Sequence, residues 1–193
     1  PGLRTVRRRG PRCMAASRPD VEGLSEPARR ALERTWNIAV AGVGGTGVLT
    51  IGAITAMAAH LDGLSPMVLD MAGLAQKGGA VLSHIRIGPA GDPPTEPRIV
   101  TGRADVLLAA DTVVAVSKDA AVLCDPEHTV GIVNTHMTPV ADFVRHRDFD
   151  FRTREVQETL RSHLAEPHVH DFSAAGLAVA GDEIASNILM LGF

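Results

Sequence analysis

Six residues stand out for the chemistry they could support: Gly42-Val43-Gly44-Gly45-Thr46-Gly47. They follow an apolar run, Asn37-Ile38-Ala39-Val40-Ala41, and lead into a second that begins at Val48. The order reads strand, glycine turn, helix, with the spacing G-x-G-x-x-G. Glycines let a backbone turn sharply and approach a ligand closely. The start of a helix adds N–H groups and the positive end of its dipole, which favour a phosphate or another anion. Asp70 comes 23 residues after Gly47 at the end of the next apolar run, where dinucleotide-binding folds hold a ribose hydroxyl. Alone, the pattern suits NAD or FAD. It also describes a glycine turn that does no more than pack a helix onto a sheet.

A second group is Gln76-Lys77-Gly78-Gly79. A lysine beside two glycines, just before a strand, can set an ammonium and backbone N–H groups against an anion. The plainer reading is an exposed turn that carries a lysine. The nearby phosphate-type turn, at the carboxyl ends of neighbouring strands, tips the balance toward the anion.

Other polar residues read as structural. His84 alternates with the apolar face of its strand and suits a satisfied core histidine. His168 and His170 share one strand face, a spacing open to metal, but no third ligand is evident. Asp111, Lys118 and Asp119 read as solvated positions on a helix. Nothing resembles a serine nucleophile elbow, a Walker lysine or a zincin helix. The two cysteines, Cys13 and Cys124, are too few for an iron–sulfur cluster and too far apart for a Cys-x-x-Cys site. A reducing, cytoplasmic setting is the default.

These residues need a scaffold to position them, and the composition describes one. The chain has 193 residues, 45% of them hydrophobic, with five Phe, one Trp and no Tyr. That is enough for one core built from Ala, Val, Leu and Ile, as in parallel sheets. Residues 1–36 hold nine Arg against four acids, and residues 37–193 ten Lys or Arg against eighteen acids. The folded part is therefore acidic and offers nucleic acid no electrostatic footprint. Residues 1–36, rich in Arg and Pro, read as a flexible linker, and Arg7–Arg9 as part of a solvated tail rather than a nucleic-acid arm. The stretch from Gly47 to Leu61 is too short to span a bilayer, so no membrane is implied.

From residue 37 onward the spacing predicts a doubly wound α/β fold: a mostly parallel sheet with helices on both faces. Strands are expected at 37–41, 66–70, 80–87, 105–110, 129–134 and 169–172. Val81, Ser83, Ile85 and Ile87 should share one strand face. Helices are expected at 48–60, 111–124, 139–146 and 153–164, with a last one capped by Ser173 and carrying Leu177, Ile184, Ile188 and Leu191. That helix is still apolar at Phe193, so the C-terminus reads as cut. The lack of a starting Met likewise suits a piece of something longer.

Taken in order, three stretches resemble a known family: Gly42 to Gly52 (GVGGTGVLTIG), Leu69 to Gly79 (LDMAGLAQKGG) and Leu82 to Arg86 (LSHIR). They resemble the gamma-type domain of 2-oxoacid:ferredoxin oxidoreductases, and within it the indolepyruvate enzymes of the long fused bacterial form. Ala104–Asp111, Asn134–His136 and Gly181–Asn187 fit as well, so the resemblance covers residues 37–193. It implies an enzyme that converts an aryl pyruvate, coenzyme A and oxidised ferredoxin to an aryl acyl-CoA, carbon dioxide and reduced ferredoxin. It implies thiamine diphosphate and 4Fe-4S clusters on partner domains or subunits, not on this chain, and no catalytic residue or metal ligand here. Gly44, Gly45, Thr46 and Gly47 would line a loop facing a partner domain or an anionic ligand. Lys77, Gly78 and Gly79 stand where many relatives carry Arg-Gly-Gly, and would contact CoA phosphate or the domain interface. The alternative is an NAD-binding Rossmann-type dehydrogenase domain.

Overall fold

In the computed structural model the described residues are 31–45, 47–72, 79–136 and 153–193. Six strands form one sheet: β1 (Trp36–Val43), β2 (Ser65–Ala72), β3 (Ala80–Gly88), β4 (Val106–Ala109), β5 (Val130–Asn134) and β6 (Glu166–His170). The helices among these residues are α1 (Val48–Leu61), α2 (Thr112–Ala115), α3 (Lys118–Ala121), α4 (Thr153–His163), α5 (Phe172–Ala180) and α6 (Ser186–Gly192). The expected helix at 139–146 lies outside the described residues.

The strand order is β2-β3-β1-β4-β5-β6. β1, β4, β5 and β6 pair in parallel, while β3 runs antiparallel to both β1 and β2. The expected α/β class and largely parallel sheet are present, with one departure. The chain crosses from β1 over α1 to β2, but β3 then turns back and fills the gap between them. A β–α–β reading from spacing alone cannot see this, because a short return strand can pair on either side.

Central strands carry apolar residues on both faces because both faces are covered. On one face Ala39, Ala41, Leu107, Ala109 and Val133 pack against Val114, Ala120 and Leu160 from α2, α3 and α4. On the other, Val40, Val81, Ile85 and Leu108 pack against Val48, Ile51, Phe172 and Met190 from α1, α5 and α6. Val81, Ser83 and Ile85 share that second face as their spacing predicts. Cys124 is buried, and burial pushes its thiol up to about 11, which makes it a core residue rather than a nucleophile.

Five expectations are corrected. The 111–124 helix is two short ones, α2 and α3. Asp111 is not solvated: it is buried and caps α2, accepting from the N–H groups of Val113 and Val114 at 2.8 and 3.2 Å. The last helix is broken. Gly181 takes a left-handed φ of 74°, and α5 and the stretch Glu183–Gly192 meet at 117°. Asp171, not Ser173, caps α5, accepting from the Ala174 N–H at 2.8 Å. The strand before it is Glu166–His170, earlier than expected.

At the other end of the fold, Asp105 is a buried hub. It accepts from Arg34 at 2.5 Å, from the Asn37 N–H at 2.8 Å and pairs with His128 at 2.6 Å. Burial alone would raise its pKa. The hydrogen bonds from Arg34, Asn37 and His128 outweigh that and hold it below the usual value.

Candidate functional site at the carboxyl edge of the sheet

β1, β4 and β5 all end at one edge, where open α/β sheets bind ligands. The first glycine turn leaves β1 there. Gly45 and Gly47 take φ values of 92° and 87°, a region that L side chains rarely adopt. A Cβ on Gly45 would meet nothing within 4 Å, whereas one on Gly47 would sit 2.8 Å from the Asn187 amide nitrogen. Gly47 is thus needed for close approach, and Gly45 leaves open space. Gly47 caps α1 without a side-chain acceptor, its carbonyl receives the Thr50 N–H at 3.0 Å, and no acid stands in the first turn. The positive end of the α1 dipole therefore faces this edge with no acid in its own first turn, although the Glu183 carboxylate lines the cavity beside Gly45.

Gly79, the last residue of the second glycine group, comes to the same place. Gly44 N–H donates to the Gly79 carbonyl at 2.8 Å, next to the pairing of Val43 with Ala80. Gly44, Gly45, Gly47 and Gly79 are therefore neighbours on one edge. Thr46, Lys77 and Gly78 lie outside the described residues. Asp70 is not part of the group. It stands on β2, separated from β1 by β3, and accepts from the Ser83 hydroxyl at 2.6 Å.

Beside Gly45 lies a cavity of about 190 Å³, lined also by Asn134, His136, Ser173, Ser186 and Asn187. Spacing had not marked these as a site. Asn134 is its anchor. Its Oδ1 accepts from the Phe172 N–H at 3.1 Å, and its Nδ2 donates to the Ala110 carbonyl at 3.3 Å and to the Ser173 hydroxyl at 2.9 Å. One side chain thus locks β4, β5 and the start of α5 together. The usable signal was a polar residue ending a buried strand, since buried amides need partners and strand ends in α/β sheets face the crevice. The edge supplies amide and hydroxyl groups on a rigid frame, which suits holding and orienting a polar ligand.

His168 and His170 pack their rings on Phe193 at 5.5 and 5.1 Å, and no cluster of three or more His, Cys, Asp or Glu that could hold a metal ion occurs among the described residues.

The pyruvate ferredoxin/flavodoxin oxidoreductase family matches residues 37–193. The chain belongs to this family. It is 34% identical over 161 residues to the indolepyruvate oxidoreductase subunit IorB of Archaeoglobus fulgidus, covering 81% of this chain and 74% of that one. The fold is shared with the pyruvate oxidoreductase subunit PORC of Thermotoga maritima at a TM-score of 0.57 and 20% identity, over 83% of this chain and 74% of that one. It is also shared with a 2-oxoglutarate:ferredoxin oxidoreductase of Magnetococcus marinus, solved with 2-oxoglutarate, coenzyme A and succinyl-CoA bound. There the TM-score is 0.60 at 16% identity, over 83% of this chain and 24% of that one. The chain is accordingly a subunit-type part of a 2-oxoacid:ferredoxin oxidoreductase, with the gamma-type fold that its motifs resemble.

Proposed function

We propose that this chain is the coenzyme-A side of an indolepyruvate-type oxidoreductase, working in the cytoplasm on an aryl pyruvate, coenzyme A and ferredoxin. Thiamine diphosphate and 4Fe-4S clusters on partner domains or subunits would supply the decarboxylation and the electron transfer. This chain's role is to bind and orient. The observation that supports the reading is the Gly44 N–H to Gly79 carbonyl bond, which sets the last residue of the second glycine group beside the first turn and the start of α1. Gly44, Gly45, Thr46 and Gly47, with Lys77, Gly78 and Gly79, would then present amide hydrogens and one ammonium to CoA phosphate or to the partner domain.

A second support is the outer surface of α1, α5 and α6. None of these helices contains Asp, Glu, Lys or Arg, and Leu49, Met57, Leu177 and Ile188 are each about half exposed or more. Such a surface suits contact with another protein. The NAD-binding alternative is weakened by the strand order, because β3 separates the glycine turn from the Asp70 that would hold a ribose.

The test is Lys77→Ala in the assembled enzyme. The apparent KM for CoA should rise more than that for the oxoacid, by about 1–2 kcal/mol, as for loss of a charge-assisted hydrogen bond. An unchanged CoA dependence removes Lys77 from the CoA site. Calorimetry on the chain with NAD and with CoA separates the two readings: micromolar NAD binding without a CoA response would favour the dehydrogenase.

A further inference from the structure

A cavity of about 260 Å³ opens on the α2–α3 face of the sheet and shares no lining residue with the one beside Gly45. Buried Val114, Ala120 and Leu123 line it, and so do exposed Arg98 and Asp119. Apolar groups thus form the interior, and two opposite charges stand at the mouth. His84 lies behind the wall, fully buried. Its Nδ1 accepts from the Ile99 N–H at 3.1 Å. A ring nitrogen that accepts carries no proton, so the ring's hydrogen lies on Nε2, which is buried and unpaired among the described residues. The ring therefore offers the cavity no donor. Burial, and secondarily the charge of Arg98, lowers the pKa of His84. The Arg98 charge is thus felt at this wall.

Among the described residues, neither Arg98 nor Asp119 has an ion pair or a side-chain hydrogen bond. The lining holds no other Asp, Glu, Lys or Arg. Each charge argues against a simpler ligand. A bare carboxylate would meet Arg98 but also face Asp119, and a bare amine would meet Asp119 but also face Arg98; like charges set together are unfavourable. A zwitterion satisfies both and leaves its apolar body against Val114 and Leu123, where burial is favourable. The volume is several times the roughly 30 Å³ share of one water and lies below the roughly 300 Å³ at which drug-sized pockets begin, so that body must be small.

We propose that this cavity binds a small apolar zwitterion of the α-amino acid class, with its carboxylate on Arg98, its ammonium on Asp119 and its side chain against Val114 and Leu123. The site is separate from the glycine turns, and it does not rest on the CoA reading.

The experiment is a titration of the full chain, ¹³C-labelled at its Leu and Val methyl groups and followed through Val114 and Leu123. The probes are L-leucine, isocaproate, which lacks the ammonium, and isoamylamine, which lacks the carboxylate. L-Leucine should shift both methyl signals in a saturable way. It should bind about fivefold more tightly than either analogue, the worth of one ion pair at an exposed mouth. Asp119→Asn should abolish the preference over isocaproate, and Arg98→Gln the preference over isoamylamine. Both positions are exposed, so both variants should keep the melting temperature of the parent chain. Val122→Phe, a change at a half-exposed lining residue, should weaken all three probes. No saturable shift with L-leucine would overturn the proposal, as would L-leucine binding no more tightly than its analogues. A preference that survives either charge-removing variant would place the ligand elsewhere and overturn it too.

Discussion

The two faces of the sheet are built alike inside and differently outside. Both bury Ala, Val, Leu and Ile from the same strands. The α2–α3–α4 face is finished for water: α3 carries Lys118 and Asp119, and α4 buries Leu160 while Glu158 and Arg161 stand exposed. The α1–α5–α6 face lacks any charged residue in its three helices and leaves Met57 58% and Leu177 52% exposed. A helix that is apolar all round is normally covered. The contrast teaches that one side of this domain is a solvent surface and that the other has the composition of an interface, in keeping with a subunit of a larger enzyme.

The strongest way to break that contrast is to charge the apolar side. Leu49→Asp together with Met57→Lys should leave the melting temperature of the chain nearly unchanged, since both positions are already half exposed. It should weaken assembly with the partner subunits on the order of a thousandfold, because unpaired charges would be buried at the contact. Glu158→Lys on α4 is the control and should alter neither. If size-exclusion and binding assays rank the two variants the other way, the faces have been assigned backwards.

Next in size is Asp105, which ties Arg34, the start of β1 and His128 together. Asp105→Asn should cost about 3 kcal/mol by chemical denaturation, as for breaking a buried charge pair. Because its pKa is depressed in the fold, its contribution is present above the unfolded value of about 3.9 and is lost as pH falls through the folded pKa. The variant's stability should therefore depend less on pH in the acid range than that of the parent chain.

Gly176→Ala probes the corner that turns the apolar helices. A Cβ there would lie 2.8 Å from the Ser186 backbone nitrogen, so the α5–α6 crossing must shift. The expected loss is about 2 kcal/mol, read as a lower melting temperature. Smallest should be Asp111→Ala on the opposite side, about 1 kcal/mol for loss of the α2 cap. A loss near zero would mean that Val113 and Val114 find other acceptors.

Local features were readable because local physics makes them. The 37–41 strand, the glycine turn, α1 and the shared face of Val81, Ser83 and Ile85 follow from backbone freedom and from residue spacing. The break at Gly181 was missed because the apolar positions keep helical spacing on either side of it, while a left-handed glycine and the Asp182 that follows, bonding the Ile184 N–H at 3.0 Å, end one helix and start the next. Asp111 was misread because a capping carboxylate and a solvated one look the same in a string of letters.

The cavity residues Asn134, Ser173 and Asn187 were also out of reach. They stand up to 53 positions apart, and only the order of β4, β5 and the two closing helices makes them neighbours. On its own, the order of residues determined the α/β class, the glycine turn after β1 and membership of an oxidoreductase family, since each rests on short-range spacing or on a run of motifs. Tertiary structure decided which strand lies beside which, that Gly44 meets Gly79 while Asp70 stands aside, and that His84 keeps one buried hydrogen unpaired. Contacts between distant segments depend on how whole elements pack, and no local pattern encodes that.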